Sequence, residues 1–328
     1  MHLKTKSIQI VKNGGPEEMA WVDINITAPE SSQVQIEHTY VGLNYIDTYH
    51  RSGLYPLSLP TGLGMEASGK VIAVGNSVKD LNIGDRVCYA MQLGSYCTIR
   101  NVEEKNLVKI PDLIDDKIAA AVLLKGMTVE YLIERLFKVN EKHTVLFHAA
   151  AGGVGLIASQ WLKNKGARVI GTVGSQEKAA LAKANGCDEV ILYKEEDFVK
   201  RVSDLTEGKG VDVVYDGVGK DTAIKGLDCL KPLGMMVVFG NSSGNCPPID
   251  PGLLAAKGSL FFTRPTLMTY GTKREDLLNS SERVFKMLSD NKISIQVNSS
   301  YSLSEVVKAH IDLESRKTVG SIVMKNDH

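Results

Sequence analysis

The chain holds 328 residues, 43% hydrophobic and 23% charged, which is ordinary for a soluble globular protein and long enough for two domains with separate cores. Its 38 Lys and Arg residues balance its 38 Asp and Glu residues, so no global field draws nucleic acid or an anionic membrane. No run reaches the ~18 consecutive apolar residues of a membrane span, and Met1–Lys6 leads into no apolar signal core, which argues against secretion.

From residue 1 to about 125 the pattern is β-rich. Ser7–Val11 and Gln33–Glu37 alternate apolar and polar residues, as half-buried strands do. Asn13-Gly14-Gly15-Pro16 and Ala28-Pro29 punctuate them. Gly62–Gly69 is a glycine-rich bend before the strand Lys70–Val74, and Ile83–Val87 turns into another. Many short strands with regular turns predict a compact barrel-like or sandwich domain. From Asp115 the character becomes helical: Lys117–Leu124 is a strong helix former, and Met127–Phe137 continues at helical spacing after Gly126.

Val145–Phe147 then reads as a buried strand entering a small-residue turn. Ala150-x-Gly152-x-x-Gly155 is the dinucleotide fingerprint G-x-G-x-x-G with Ala first. Gly152 lets backbone approach a pyrophosphate, Gly155 lets the following helix pack on the strand, and the helix start offers unpaired N–H groups to phosphate. Ala151, Gly152, Gly153, Val154 and Gly155 are thus candidate cofactor contacts. Strands and helices alternate after it: Arg168–Val173, a helix Gln176–Ala184, Glu189–Leu192, a helix from Glu195, Asp212–Asp216, a helix from Asp221, Gly234–Phe239 and Ser259–Phe262. That is the signature of a doubly wound parallel sheet. The last ~65 residues hold two helices, near Arg274–Leu288 and Ser304–Leu313, and short strands such as Ser321–Met324. They do not extend the alternation and are expected to return to the first domain.

An NAD-type site places Asp or Glu roughly 20 residues past the fingerprint, on the ribose 2′-hydroxyl. Here that position falls at Thr172-Val173-Gly174-Ser175, with no carboxylate, and Lys178 follows one turn into the next helix. Gly174, Ser175 and Lys178 therefore suit a 2′-phosphate, pointing to NADPH. The plain alternative for Lys178 alone is a solvated helix lysine. The five cysteines, Cys88, Cys97, Cys187, Cys229 and Cys246, are odd in number, scattered and never spaced C-x-x-C, as expected of reduced thiols in a cytoplasmic protein.

His148–Gly155, with Gly42–Tyr49, Arg51–Tyr55 and Gly240–Gly244, resembles the NADPH:quinone oxidoreductase (zeta-crystallin-like) branch of the medium-chain dehydrogenase/reductase superfamily, and the likeness spans essentially the whole chain. The resemblance implies an α/β protein: a Rossmann doubly wound parallel sheet over residues 127–264, and a β-rich GroES-like catalytic domain from residues 1–126 and 265–328, with a cleft between them. One local departure is Asn140-Glu141-Lys142-His143, where a Gly-Asp/Glu turn is common. Zinc alcohol dehydrogenases of the superfamily carry Cys in the loop held here by Leu43-Asn44-Tyr45, Gly-His-Glu where this chain has Gly64-Met65-Glu66, and a four-cysteine lobe near Ala90–Thr98. Catalytic zinc needs about three protein ligands, so no metal is expected, and Glu66 reads as structural, paired with a nearby base.

By the same resemblance, Asn44, Tyr49 and Tyr55 face the nicotinamide and substrate as the catalytic set. The tyrosines otherwise read as amphipathic packing residues, and Asp47 as a helix cap. Thr128 is implied beside the nicotinamide ribose, Tyr193 over the adenosine, and Phe239, Gly240, Asn241 and Ser242 toward the nicotinamide. Arg264 and Arg316 are further cofactor candidates, or surface ion pairs. His148 is expected to be a packed histidine. The chemistry implied is metal-independent, NADPH-dependent reduction of a small quinone. The same residues allow reduction of activated C=C bonds in enals or enones, and a non-catalytic structural or RNA-binding role is a third possibility. The resemblance implies a homodimer, with Ser259–Phe262 as the paired sheet edge; no nucleic-acid or membrane partner is expected.

Overall fold

The computed structural model describes residues 3–327 and divides into two compact units: one takes in the chain through Met127, Gly271–Asn291 and the stretch from Ile295, and the other Thr128–Tyr270 with Lys292–Ser294.

The first unit begins with β1 (Leu3–Ile10), β2 (Ala20–Ile26), β3 (Gln33–Leu43), α1 (Tyr45–Ser52), β4 (Thr61–Gly62), β5 (Glu66–Val74), β6 (Arg86–Ala90), β7 (Ile99–Glu103), β8 (Val108–Lys109) and α2 (Asp116–Glu130). β1 lies between β2 and β4 in a three-stranded antiparallel sheet. α1 ends at Gly53, whose φ of 81° is left-handed, the usual helix stop at glycine. α2 runs straight through Gly126. A Cβ there would stand 2.7 Å from a Val284 methyl, so the missing side chain admits a neighbouring helix. Helical spacing predicts regular helix to Phe137. Instead Tyr131–Leu136 form a π-helical turn that closes with Phe137 N–H donating to Leu132 C=O, 3.2 Å.

The second unit carries β9 (Thr144–Phe147), α3 (Gly153–Asn164), β10 (Arg168–Val173), α4 (Gln176–Ala184), β11 (Glu189–Leu192), α5 (Phe198–Leu205), β12 (Val211–Asp216), α6 (Ala223–Gly226), β13 (Leu230–Val238), α7 (Pro251–Ala256), β14 (Phe261–Thr263) and α8 (Leu267–Tyr270). All six strands are parallel, in the order β11-β10-β9-β12-β13-β14. The order reverses beside β9, the strand that enters the fingerprint, and such switch points open a crevice at the carboxyl ends of strands. The strands are continuous apolar runs because both faces are covered: Val145, Leu146, Val213, Val214 and Val237 are fully buried. α5 starts later than the sequence suggests, since Asp197, not Glu195, caps it by accepting from Val199 N–H at 2.8 Å. β14 likewise starts at Phe261, because Ser259 takes a left-handed φ of 56°.

The chain then returns to the first unit with α9 (Arg274–Ser289), β15 (Ser299–Ser302), α10 (Val306–Glu314) and β16 (Ile322–Lys325). β16 adds antiparallel to β3, giving the order β15-β16-β3-β5-β6-β8, with β7 also on β3. Ile36, Val41, Leu63 and Leu107 from the start of the chain share their core with Leu303 and Val306 from its end.

Candidate active site

In the first unit the polar centre is Glu66, the first residue of β5, whose side chain is fully buried. Its Oε1 accepts from Leu124 N–H at 2.7 Å. Its Oε2 accepts from Asn44 Nδ2 at 2.9 Å and lies 3.3 Å from Lys125 Nζ. A carboxylate only accepts, so Glu66 fixes the amide of Asn44 with its NH2 inward. Gly42 makes room: a Cβ there would stand 2.5 Å from Glu66 Oε2 and 2.3 Å from Ala120 C=O. The pairing of Glu66 with a base thus has a named partner, 59 residues on.

Asn44 also caps α1. Its N–H donates to Asp47 Oδ2 at 2.8 Å, and the two residues form a reciprocal capping box. Asp47 is therefore the helix cap that its position suggests. It is also the end of a directed chain. Arg51 can only donate, so its 2.8 Å contact with His310 Nδ1 leaves the imidazole hydrogen on Nε2. Nε2–H then donates to Tyr96 Oη at 3.1 Å, and Tyr96 O–H donates to Asp47 Oδ2 at 2.8 Å. Glu314 anchors the far end on Arg51 at 2.8 Å. Burial pushes the Asp47 carboxyl up to about 7, against the pull of Asn44 N–H, Tyr96 and Lys125. Oδ1 is buried without a hydrogen-bond partner. Tyr49 and Tyr55 lie close by on the same segment, their rings edge-to-face at 5.1 Å.

In the second unit the expected nucleotide contacts gather at the carboxyl edge of the parallel sheet. Gly152 is the N-cap of α3, after β9. Gly174, Ser175 and Lys178 follow β10, Tyr193 follows β11, Phe239–Ser242 follow β13 and Arg264 follows β14. The glycines separate by cause. A Cβ on Gly155 would stand 2.4 Å from Ala149 C=O, so helix packing alone requires glycine. At Gly152, φ is −79°, so the backbone is unstrained, and a Cβ would press on Ala149 C=O at 3.3 Å, a far milder conflict than at Gly155. Open space over a helix N-terminus fits the approach of a pyrophosphate. A Cβ on Gly174 would stand 2.8 Å from Tyr193 Oη, which places the phenol over the end of β10. Ser175 caps α4, its Oγ accepting from Lys178 N–H at 3.3 Å. Thr128 opens this unit inside α2 and is buried.

Arg316 is not part of that edge: it belongs to the first unit, exposed just past α10. Arg264 is exposed too, with its guanidinium donating to Pro265 C=O at 2.8 Å. His148 is packed, with Nδ1 2.9 Å from Thr172 Oγ1 and its ring edge-on to Phe198. Sequence reading passed over Lys125 and Asp216. Asp216, fully buried at the end of β12, accepts from Val218 N–H at 2.6 Å, Gly219 N–H at 3.1 Å and Thr222 O–H at 2.7 Å, and so shapes the loop facing Gly240. Among the described residues no three His, Cys, Asp or Glu side chains gather to hold a metal ion, and no helix is long and apolar enough to cross a membrane.

Two family models match the chain: the alcohol dehydrogenase GroES-like domain over residues 30–134 and the zinc-binding dehydrogenase over 153–279. A quinone oxidoreductase of Salmonella typhimurium is 48% identical, covering 97% of this chain and 98% of that protein. The structure of Escherichia coli quinone oxidoreductase complexed with NADPH superposes with a TM-score of 0.96 at 46% identity, over 98% of this chain and 100% of that one. A 2-haloacrylate reductase of a Burkholderia species is 42% identical over 96% of this chain and 97% of that protein.

The buried titrating groups set the acid response. Burial holds His38 and His310 down at about 3 from an ordinary 6.5, so their contributions to stability are complete above pH 6.5 and drain as pH falls through 3. Asp47, raised from 3.8 to about 7, runs the other way: its contribution is complete below 3.8 and drains as pH rises through 7. Asp47→Asn removes the opposing slope. Urea unfolding at a series of pH values then shows a steeper loss of stability toward acid than in the parent, by up to about 1.4 kcal/mol per pH unit between pH 6.5 and 4.

Proposed function

Because this chain belongs to the quinone oxidoreductase family of the medium-chain dehydrogenases and reductases, we propose that it catalyses NADPH-dependent reduction of quinones without a metal. The observation that carries the cofactor half is the open cradle at Gly152, beside Gly174, Ser175, Lys178 and Tyr193, with no carboxylate at the end of β10. The observation that carries the metal-free half is Glu66, whose two oxygens are engaged by Leu124, Asn44 and Lys125. When bound, NADPH supplies a hydride. The chain's own residues bind and orient: Ala151, Gly152, Gly153, Val154 and Gly155 take the pyrophosphate on α3, and Ser175 and Lys178 hold the 2′-phosphate. Thr128 and Phe239–Ser242 flank the nicotinamide end, with Arg264 a lesser contact at the same sheet edge. Asn44, Tyr49 and Tyr55 position the flat acceptor. A quinone takes up charge into an aromatic ring and needs donors and placement more than a Lewis acid.

A second reading has its own support in the 42% identity to a 2-haloacrylate reductase: hydride addition to an activated C=C bond. NADPH oxidation measured over a panel of quinones and enones separates the two. Turnover on small quinones, well above that with NADH and unchanged by EDTA, is the expected result. Comparable rates with NADH remove the assigned role of Ser175 and Lys178, and turnover on enones alone favours the second reading.

The cradle makes its own prediction. Gly152→Ala costs much less stability than the same change at Gly155, as thermal melting reads it, and weakens NADPH binding on the order of tenfold or more. Gly155→Val loses stability outright, since its side chain meets backbone.

We further propose a homodimer joined through the Ser259–Phe262 segment, in the cytoplasm. β14 is the sheet edge, paired with β13 on one side, and Phe261 is 56% exposed there, an apolar side chain on an edge strand. Four of the five free cysteines are buried, which suits a reducing compartment. Light scattering is expected to give the mass of two chains, and Phe261→Lys to shift the distribution toward one; a monomeric parent chain overturns the assignment.

A further inference from the structure

Lys125 has more donors than the chain supplies acceptors. The residue is buried, with 5% of its surface exposed, and its ammonium carries three N–H groups. Among the described residues the one acceptor it meets is Glu66 Oε2, 3.3 Å away. Buried donors left unpaired cost free energy, so an acceptor from outside the chain completes the group. The same Oε2 holds Asn44 Nδ2 at 2.9 Å, and the second hydrogen of that amide is likewise turned away from Glu66. Two donors, one charged and one neutral, are thus fixed side by side on one carboxylate oxygen. Leu124 N–H holds the other oxygen and Gly42 leaves the carboxylate room, so the pair is set before any ligand arrives.

We propose that Lys125 and Asn44 form an oxyanion-binding pair that takes the carbonyl oxygen of the quinone on which negative charge develops. This rests on the quinone-reductase reading and names the residues that do what a metal does elsewhere. Hydride reduction by the dinucleotide breaks its C–H bond and forms an O–H bond at one quinone oxygen. The electron pair passes through the ring, which becomes aromatic, and the other oxygen becomes an oxyanion. Lys125 and Asn44 hydrogen-bond that oxygen, and a proton from water completes the hydroquinone. The ammonium answers the charge, and the amide sets where the oxygen sits. Glu66 tempers the ammonium: it keeps the site near neutral when empty, so the stabilising field acts chiefly on the charge that forms during reaction.

The test needs no turnover. The probe is 4-nitrophenol, whose phenolate is yellow, bound to the full chain with and without NADP+ and titrated with pH. The parent chain is expected to bind the phenolate in preference to the phenol. Glu66→Gln, which keeps the ammonium and removes its counter-charge, tightens phenolate binding by about tenfold. Glu66→Gln combined with Lys125→Met, which removes both charges of the pair and keeps the acceptor for Leu124, loses the preference for phenolate. A parent chain that favours neutral phenol, a Glu66→Gln chain with unchanged affinity, or a double variant that retains the preference overturns the proposal. These outcomes are independent of the quinone-reductase reading, which stands or falls on NADPH oxidation over the substrate panel.

Discussion

The buried carboxylate of Glu66 is the constraint on which the placement of Asn44 and Lys125 depends. An isolated carboxylate in a fully buried position is too costly to survive, and it persists only with partners of good geometry. Here three groups from two parts of the first unit answer it: an amide at the start of α1, and, in α2, a backbone N–H and the ammonium of the next residue. Each of them is thereby fixed in direction. The carboxylate orients the Asn44 amide with its NH2 toward Glu66, holds the Lys125 ammonium at 3.3 Å, and ties α1 to α2. The capping box with Asp47 and the directed chain through Tyr96 and His310 to Arg51 carry that order across to α10.

The second unit solves a different problem with the same economy of parts. Six parallel strands covered on both faces bring every strand's carboxyl end to one edge, so residues distant in sequence are assembled there by topology alone. Small residues then decide what can approach. Gly155 is required by the packing of α3, where a Cβ would stand 2.4 Å from backbone, whereas at Gly152 the conflict is milder, at 3.3 Å, and the residue stands at the start of the helix.

How much of this could be read from the sequence follows from how local each signal is. The fingerprint, the strand-helix alternation and the absent carboxylate near Ser175 all lie within short spans, and each has a fixed backbone meaning. Asp47 three residues after Asn44 is a capping pattern by spacing. Glu66 could be expected to find a base, but Lys125 could not be named, because 59 residues and a sheet register separate them. The link from Arg51 to His310 spans 259 positions and leaves no trace in composition or period. The π-helical turn at Tyr131–Leu136 was illegible for the opposite reason: its residues have ordinary helical spacing, and only the closing hydrogen bond distinguishes it. Side-chain identity marks what the backbone does nearby; it does not mark which distant group completes a buried charge.

The most direct measurement is a double-mutant cycle on the Glu66–Lys125 pair, with stability read by urea unfolding. If the buried pair organises the site, Lys125→Met alone leaves an uncompensated buried charge and costs about 3–5 kcal/mol. Combining it with Glu66→Gln should then recover a large part of that loss. Single losses that simply add in the double variant would mean that the two side chains do not depend on each other, and would contradict the account.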